Sequence, residues 1–198
     1  MTVIIGYKQG GDVWMGADSF LGNSDTKHTT GYEKIWRCAV PDGGPMLIGS
    51  SGSVRAMFLV RSMELPPHPD GLDAYTYVAE HLVNAIRERY NGAGFLQTEN
   101  GREKDGDSQL MVGYQGRLFE IYYDFDVLEY SECYAAIGAG QYIAFGAMAM
   151  MESITHDSTA PDRIRMALTV CEHHSPWVRR PFVIMKVEEP KDMPTCQL

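Results

Sequence analysis

The sequence predicts an α+β fold in which two antiparallel sheets stack face to face between helical layers, a four-layer αββα sandwich. The predicted order is four strands, two helices, three strands, two helices and one strand. Strands that follow one another through short turns pair as antiparallel hairpins. Each pair of amphipathic helices must cover an apolar sheet face, so two stacked sheets with helices outside each of them meet the burial requirement.

The first four predicted strands form two hairpins. Residues 2–8 and 13–18 are rich in strand-forming residues and flank the turn at Gly10-Gly11. Residues 34–40 and 46–50 flank the turn cluster PDGGP. The polar stretch between the two hairpins is predicted to be a loop.

The later elements are separated by capping and turn residues, and an exposed polar loop is expected at 97–106. Asp73 and Thr159 are each placed to cap a helix. The predicted helices cover 53–65, 73–90, 141–155 and 161–173. The remaining predicted strands cover 109–114, 117–123, 134–137 and 182–187.

Length and composition favour one cytoplasmic domain over 1–187, followed by a tail at 188–198 that we expect to be disordered. The formal charge of −9 disfavours nucleic acid as a partner. No apolar run approaches the roughly 18 residues that span a bilayer, and no basic segment precedes an apolar one as in a secretory signal. The four cysteines have no CxxC spacing, so neither a metal nor a cofactor is expected.

Thr2 is the candidate nucleophile. A threonine hydroxyl is weak at neutral pH and needs an adjacent base. If Met1 is removed, Thr2 acquires a free α-amine, whose pKa is about 7.7–8.0 in model peptides. That amine can take the proton of the hydroxyl and return it to a leaving group.

Two charged residues and one glycine-rich loop complete the predicted site. The return of the first hairpin brings Asp18 beside Thr2, and Lys34 at the start of the third strand would stabilise the reactive form of the nucleophile. The loop GSSGS at 49–53 joins a strand to a helix, and the amides of Ser51 and Gly52 are candidate donors to a substrate oxygen. A nucleophilic hydroxyl on Ser50 or Ser51 is the lesser alternative.

The chain resembles proteasome β subunits and the bacterial HslV peptidase, which are N-terminal-nucleophile (Ntn) hydrolases, and small proteasome-like proteins of actinobacteria and their phages. The resemblance covers about residues 2–187. It is carried by the joint order of short motifs: Thr2 with VIIG, GADS with Asp18, LGN at 21–23, KIWR with Lys34, IGSSGSVRA, the segment 111–113, and IGAGQYIAFGA at 137–147.

The resemblance implies that Thr2 is nucleophile and base, that Asp18 orients the site, and that Lys34 acts electrostatically. Where the family often has a serine in G-S-G, this chain has Ala139. The family's later acidic and hydroxyl pair matches Glu172 with Ser175, or Cys171 with His174 in an equally good register. By family position, Leu21, Tyr32 and Trp36 line a substrate pocket.

These observations predict a threonine endopeptidase that cleaves peptides or unfolded proteins through an acyl-enzyme. The resemblance implies a homo-oligomeric ring or stacked rings, with no ATPase partner identified by the sequence. Two alternatives stay open. One is a catalytically inactive assembly or interaction protein, which the absent hydroxyl at Ala139 or a retained Met1 would favour. The other is an amidase or transpeptidase that acts on a dedicated substrate.

Overall fold

A computed structural model describes residues 2–22, 25–99, 102–104, 108–154 and 158–188 of the 198-residue chain. Met1 lies outside these residues, as does the predicted disordered tail except Glu188. In the described part of the chain, no helix is long and apolar enough to cross a membrane.

The described strands and helices follow the predicted order, with additional short elements. The strands are β1 Ile4–Gln9, β2 Asp12–Ala17, β3 Phe20–Gly22, β4 Lys27–Thr29, β5 Ile35–Val40, β6 Gly44–Ser51, β7 Gln97–Glu99, β8 Arg102–Lys104, β9 Gln109–Tyr114, β10 Arg117–Ile121, β11 Val127–Glu129, β12 Tyr134–Ile137 and β13 Val183–Lys186. The α-helices are α1 Val54–Arg61, α2 Ala74–Thr76, α3 Val83–Gly92, α4 Gln141–Ile154 and α5 Ala160–His174, and a π-helical stretch, Tyr77–Leu82, joins α2 to α3.

Two antiparallel sheets form the centre of the molecule. One has the strand order β12-β1-β2-β13, and the other has the order β11-β10-β9-β6-β5. An apolar cluster that includes Ile4, Met15, Leu47 and Met111 fills the space between them. The sheets therefore stack face to face through side chains that alternate along each strand.

Helices cover the outer face of each sheet. Helices α4 and α5 pack on the four-stranded sheet through a buried cluster that includes Ala144 and Leu168. Helices α1 to α3 pack on the five-stranded sheet through a cluster that includes Met57 and Tyr90. The predicted four-layer αββα sandwich is confirmed.

Capping residues start the helices where the sequence predicts. The Asp73 carboxylate accepts a hydrogen bond from the amide of Thr76, and the Thr159 hydroxyl accepts one from the amide of Asp162. Both caps satisfy amides that the first helical turn leaves without partners.

Three predictions of irregular structure were wrong. The polar stretch between the first two predicted hairpins, where a loop was expected at 22–31, holds the short hairpin β3–β4, and the predicted loop at 97–106 holds β7–β8. Strand β11 was not predicted. Each of these strands has three residues, and they are largely polar or exposed. Such strands are held by backbone pairing and show no alternation of apolar side chains, so the sequence carries little signal for them.

Candidate active site

The first hairpin of the four-stranded sheet brings Asp18 to the start of the chain. Ile4 pairs with Ala17 across the antiparallel ladder, so Asp18 lies beside Val3. The amide of Val3 donates to Oδ1 of Asp18 at 3.0 Å. Thr2, the residue before this contact, is 4% exposed.

Lys34 reaches the same carboxylate from the other sheet. It immediately precedes β5, and its Nζ donates to Oδ1 of Asp18 at 2.9 Å. The two side chains are 6% and 0% exposed. Burial lowers the pKa of Lys34, although the neighbouring Asp18 carboxylate opposes this effect. The structure therefore brings Thr2, Asp18 and Lys34 together, as the sequence predicts.

The second oxygen of Asp18 fixes the carboxylate in place. Oδ2 accepts a hydrogen bond from the amide of Phe20 at 2.7 Å and one from the amide of Arg179 at 3.3 Å. Three backbone amides and one ammonium group therefore surround a buried carboxylate. This number of donors compensates for much of the free energy needed to remove its charge from water.

Thr2 and Lys34 line a cavity of about 120 Å³. The other lining residues come from β3, the strand β6 and the start of α1, with Tyr32: Phe20, Leu21, Gly22, Tyr32, Ser50, Gly52, Ser53, Val54 and Met57. The space equals the volume of about four water molecules, which suits one side chain of moderate size.

Of the three residues expected to line a substrate pocket, Leu21 and Tyr32 line this cavity and Trp36 does not. Trp36 is 3% exposed and belongs to the core beneath the helices of the five-stranded sheet. Successive residues of a strand point to opposite faces. On β5, Ile35 faces the neighbouring sheet and Trp36 faces the helical layer.

Of the two predicted amide donors in the glycine-rich loop, only that of Gly52 belongs to a residue that lines the cavity. Gly52 and Ser53 line the cavity, whereas Ser51 is not among the lining residues. Gly52 has φ of +104°, a conformation that favours glycine and lets the strand turn into α1. The Ser53 hydroxyl caps α1 by accepting from the amide of Ala56, and the Ser53 amide donates to the Ser108 hydroxyl.

Ser50 is a polar feature of the cavity that the sequence assigned only as a lesser nucleophile candidate. The residue is 5% exposed, and within the described part of the chain its hydroxyl has no hydrogen-bond partner. Its amide donates to the carbonyl of Lys34 at 2.9 Å, which links β6 to the start of β5. A buried hydroxyl without a partner at the edge of a cavity is available to a bound ligand.

The turn after β12 packs against the backbone of Thr2. The amide of Gly140 donates to the carbonyl oxygen of Thr2 at 3.3 Å. Gly138 has φ of +89°, and a Cβ at this position would lie 2.4 Å from the same oxygen. Ala139, between them, is exposed and contributes no hydroxyl.

Residues near the end of α5 are split between the interior and the surface. Cys171 is buried and its Sγ donates to the Gly140 carbonyl at 3.7 Å; burial raises the pKa of its thiol to about 12. Glu172 instead pairs with Arg180, whose Nε lies 2.7 Å from its carboxylate. Ser175 is buried and accepts from the amide of Trp177, and His174 is exposed.

Neither Glu172 nor Ser175 lines the cavity with Thr2. Cys171, through its contact with the Gly140 carbonyl, reaches the loop that contacts Thr2. Among the residues that the structure describes, no three His, Cys, Asp or Glu side chains are grouped to bind a metal ion.

The fold is the one found in Ntn hydrolases: two antiparallel sheets stacked between helical layers. Comparison with solved structures supports this fold. The BPH protein of Thiobacillus denitrificans in complex with epoxomicin superposes with a TM-score of 0.74 at 18% identity, covering 96% of this chain and 100% of the other.

Two other solved structures share the fold at a similarly low sequence identity. The eukaryotic HslV of Trypanosoma brucei gives a TM-score of 0.65 at 15% identity, covering 94% of this chain and 99% of the other. The helical assembly of the Anbu complex from Pseudomonas aeruginosa gives 0.65 at 14% identity, with coverages of 95% and 82%. No family model and no curated protein matches the sequence.

Proposed function

We propose that the chain is a threonine-type N-terminal-nucleophile peptidase that resembles the proteasome and HslV and cleaves peptide bonds in peptides or unfolded proteins. The observation that carries the proposal is the contact of Asp18 with both Lys34 Nζ and the amide of Val3. These contacts anchor the Lys34 ammonium and Val3, the residue after Thr2, to the buried Asp18 carboxylate beside the cavity.

The proposed reaction needs Thr2 to be the first residue of the mature chain. After Met1 is removed, the α-amine accepts the hydroxyl proton as Oγ attacks the substrate carbonyl carbon. The amine then gives this proton to the departing amine of the substrate, leaving an ester on Thr2. Water, deprotonated by the same α-amine, attacks the ester; the bond to Oγ breaks, the amine returns the proton to Oγ, and the acid is released.

The surrounding groups have separate roles in this proposal. Lys34 stabilises the developing negative charge on the threonine oxygen, and Asp18 holds Lys34 in place. The amide of Gly52, with that of Ser51, is the proposed donor to the substrate oxygen, and Gly52 is the better placed because it lines the cavity. Each such donor accounts for about 2.7–4 kcal/mol of barrier in enzymes where one has been removed.

Two experiments test the proposal in order. Intact-mass spectrometry of the native protein should show loss of Met1. Thr2→Ala should keep the fold but lose peptide hydrolysis and labelling by a threonine-reactive β-lactone, whereas Thr2→Ser should keep measurable activity because it retains a hydroxyl. Normal hydrolysis by Thr2→Ala would exclude the mechanism.

A non-catalytic assembly or interaction protein is the second candidate, and the lack of a hydroxyl at Ala139 favours it. Persistent Met1 in the native protein, together with no β-lactone labelling, would support this alternative. A third candidate is an amidase or transpeptidase with one dedicated substrate. Labelling of Thr2 combined with turnover of small amides but not of peptides would identify it.

The proposal includes self-association into a ring or stacked rings in the cytoplasm. An apolar surface on the outer helices supports it: Tyr142, Met150 and Ile154 on α4 are 81%, 63% and 61% exposed, and Met166 and Val170 on α5 are about two-fifths exposed. Exposed apolar patches of this kind mark interaction surfaces. Light scattering should show a mass well above 22.1 kDa, and Met150→Lys should lower it. The affiliation with small proteasome-like proteins of actinobacteria and their phages belongs to the same proposal.

A further inference from the structure

A buried glutamate lies between the two sheets at some distance along the chain from the candidate site. Glu120 is 2% exposed, and its strand neighbours on the same face belong to the apolar layer. Burial raises the pKa of its carboxyl, an effect that hydrogen bonds from Tyr130 and Tyr122 oppose. A carboxylate in such a layer costs stability unless it is hydrogen-bonded. The hydrogen-bond partners of Glu120 therefore indicate its structural role.

Glu120 is connected to the loop that contacts Thr2. The Tyr130 hydroxyl donates to Oε2 of Glu120 at 2.6 Å, and Nε2 of Gln109 donates to Oε1 at 3.0 Å. The other end of the same side chain, Oε1 of Gln109, accepts from the amide of Gly138 at 3.2 Å. Gly138 packs directly on the carbonyl of Thr2.

The carboxylate determines which way the Gln109 amide points. An ionised carboxylate only accepts hydrogen bonds, so Gln109 must turn its NH₂ group toward Glu120. Its carbonyl oxygen is then left to face the Gly138 amide. The reverse orientation would place two donors against each other at Gly138 and two acceptors against each other at Glu120.

We propose that Glu120 and Gln109 are positioning residues for Thr2, acting through the loop at 138–140. The inference rests on the proposed function of Thr2. The loop holds the Thr2 carbonyl through the Gly140 amide, while Asp18 holds the next amide, that of Val3. Glu120 and Gln109 thus fix one anchor of the residue that carries the proposed nucleophile.

Substitutions that change the hydrogen-bonding pattern test this role. In Glu120→Gln the new side chain offers a donor or an acceptor, so it no longer dictates the orientation of Gln109. Gln109→Met removes the acceptor for Gly138. Each should lower kcat by about 3- to 10-fold, the range of one net hydrogen bond, with KM unchanged.

The exchanged pair, Glu120→Gln with Gln109→Glu, is the rescue variant. Gln at 120 then donates to Glu at 109, whose other oxygen accepts from Gly138, so each hydrogen bond is restored with the charge moved. We expect kcat within about 2-fold of the wild type. Leu118→Ala is the matched control: it lies on the same strand and face, should lower Tm by leaving a cavity, and should not change kcat.

Hydrogen exchange separates failure of this inference from failure of the proposed function. Exchange of the peptide that contains Gly138, measured by mass spectrometry, should quicken in both single variants and return to normal in the exchanged pair, whether or not the protein hydrolyses peptides. If wild-type protein is inert but this pattern holds, the proposed function fails and the anchoring of the loop stands. Unchanged exchange, or unchanged kcat in both single variants of an active enzyme, would overturn the inference.

Discussion

Replacing Asp18 by asparagine should destabilise the protein and abolish its proposed activity for one physical reason. The substitution keeps the shape of the side chain but leaves the buried Lys34 ammonium without its counter-charge. Removing one partner of a buried ion pair costs about 3–5 kcal/mol. For a chain of this length each kcal/mol changes Tm by about 2–4 °C, so Tm should fall by roughly 6–20 °C.

The cause can be isolated with a double-mutant cycle measured by urea denaturation. Lys34→Met alone should cost less than Asp18→Asn, because three backbone amides still donate to the Asp18 carboxylate. In the double variant no buried cation remains, so the added Lys34→Met should recover part of the stability lost in Asp18→Asn. Hydrolysis should stay absent. Additive losses would refute the claim that these two charges stabilise each other.

Three further predictions concern other parts of the site. Because burial lowers the pKa of Lys34, kcat/KM should decrease with rising pH before the ordinary lysine pKa of about 10.4 is reached. Lys34→Arg should move this decrease to higher pH. If the decrease stays at the same pH in Lys34→Arg, a group other than Lys34 causes it. Ser50→Ala removes a buried hydroxyl without a partner in the described chain, so urea denaturation should show stability unchanged or raised by about 1 kcal/mol, and a clear loss would contradict this. Gly138→Ala should cost about 1–3 kcal/mol of stability through its positive φ and slow β-lactone labelling of Thr2, since its Cβ would press on the Thr2 carbonyl; normal labelling would count against the packing argument.

The sequence predicts the parts of the fold that arise from local patterns. The turn at Gly10-Gly11 fixes the antiparallel return of β2, and this alone places Asp18 beside the start of β1. The caps at Asp73 and Thr159 set the starts of two helices. The short hairpins were missed because their pairing is between backbone groups, which leave no period in the side chains.

The candidate site was predictable where one hairpin places a residue, as for Asp18, or where the family resemblance supplies it, as for Lys34. Trp36 was misplaced because family position gives a residue number but not the face of β5 on which the side chain lies. Glu120 and Gln109 were not found because their proposed role depends on the pairing of β9 with β10 and on the approach of Gly138 from the turn after β12. No spacing in the sequence reports contacts of this kind.

The site depends on the stacking of the two sheets. Thr2 and Asp18 belong to the four-stranded sheet, whereas Lys34, Ser50 and Gly52 come from the edge hairpin of the five-stranded sheet. The bond between Lys34 and Asp18 therefore joins the two layers, and neither sheet alone supplies both Thr2 and Lys34. It follows that a larger side chain between the sheets, which would push them apart, should affect activity before it affects the secondary structure of either sheet, because close-packed interiors transmit strain. A truncation such as Leu118→Ala leaves a cavity and keeps the two layers in place.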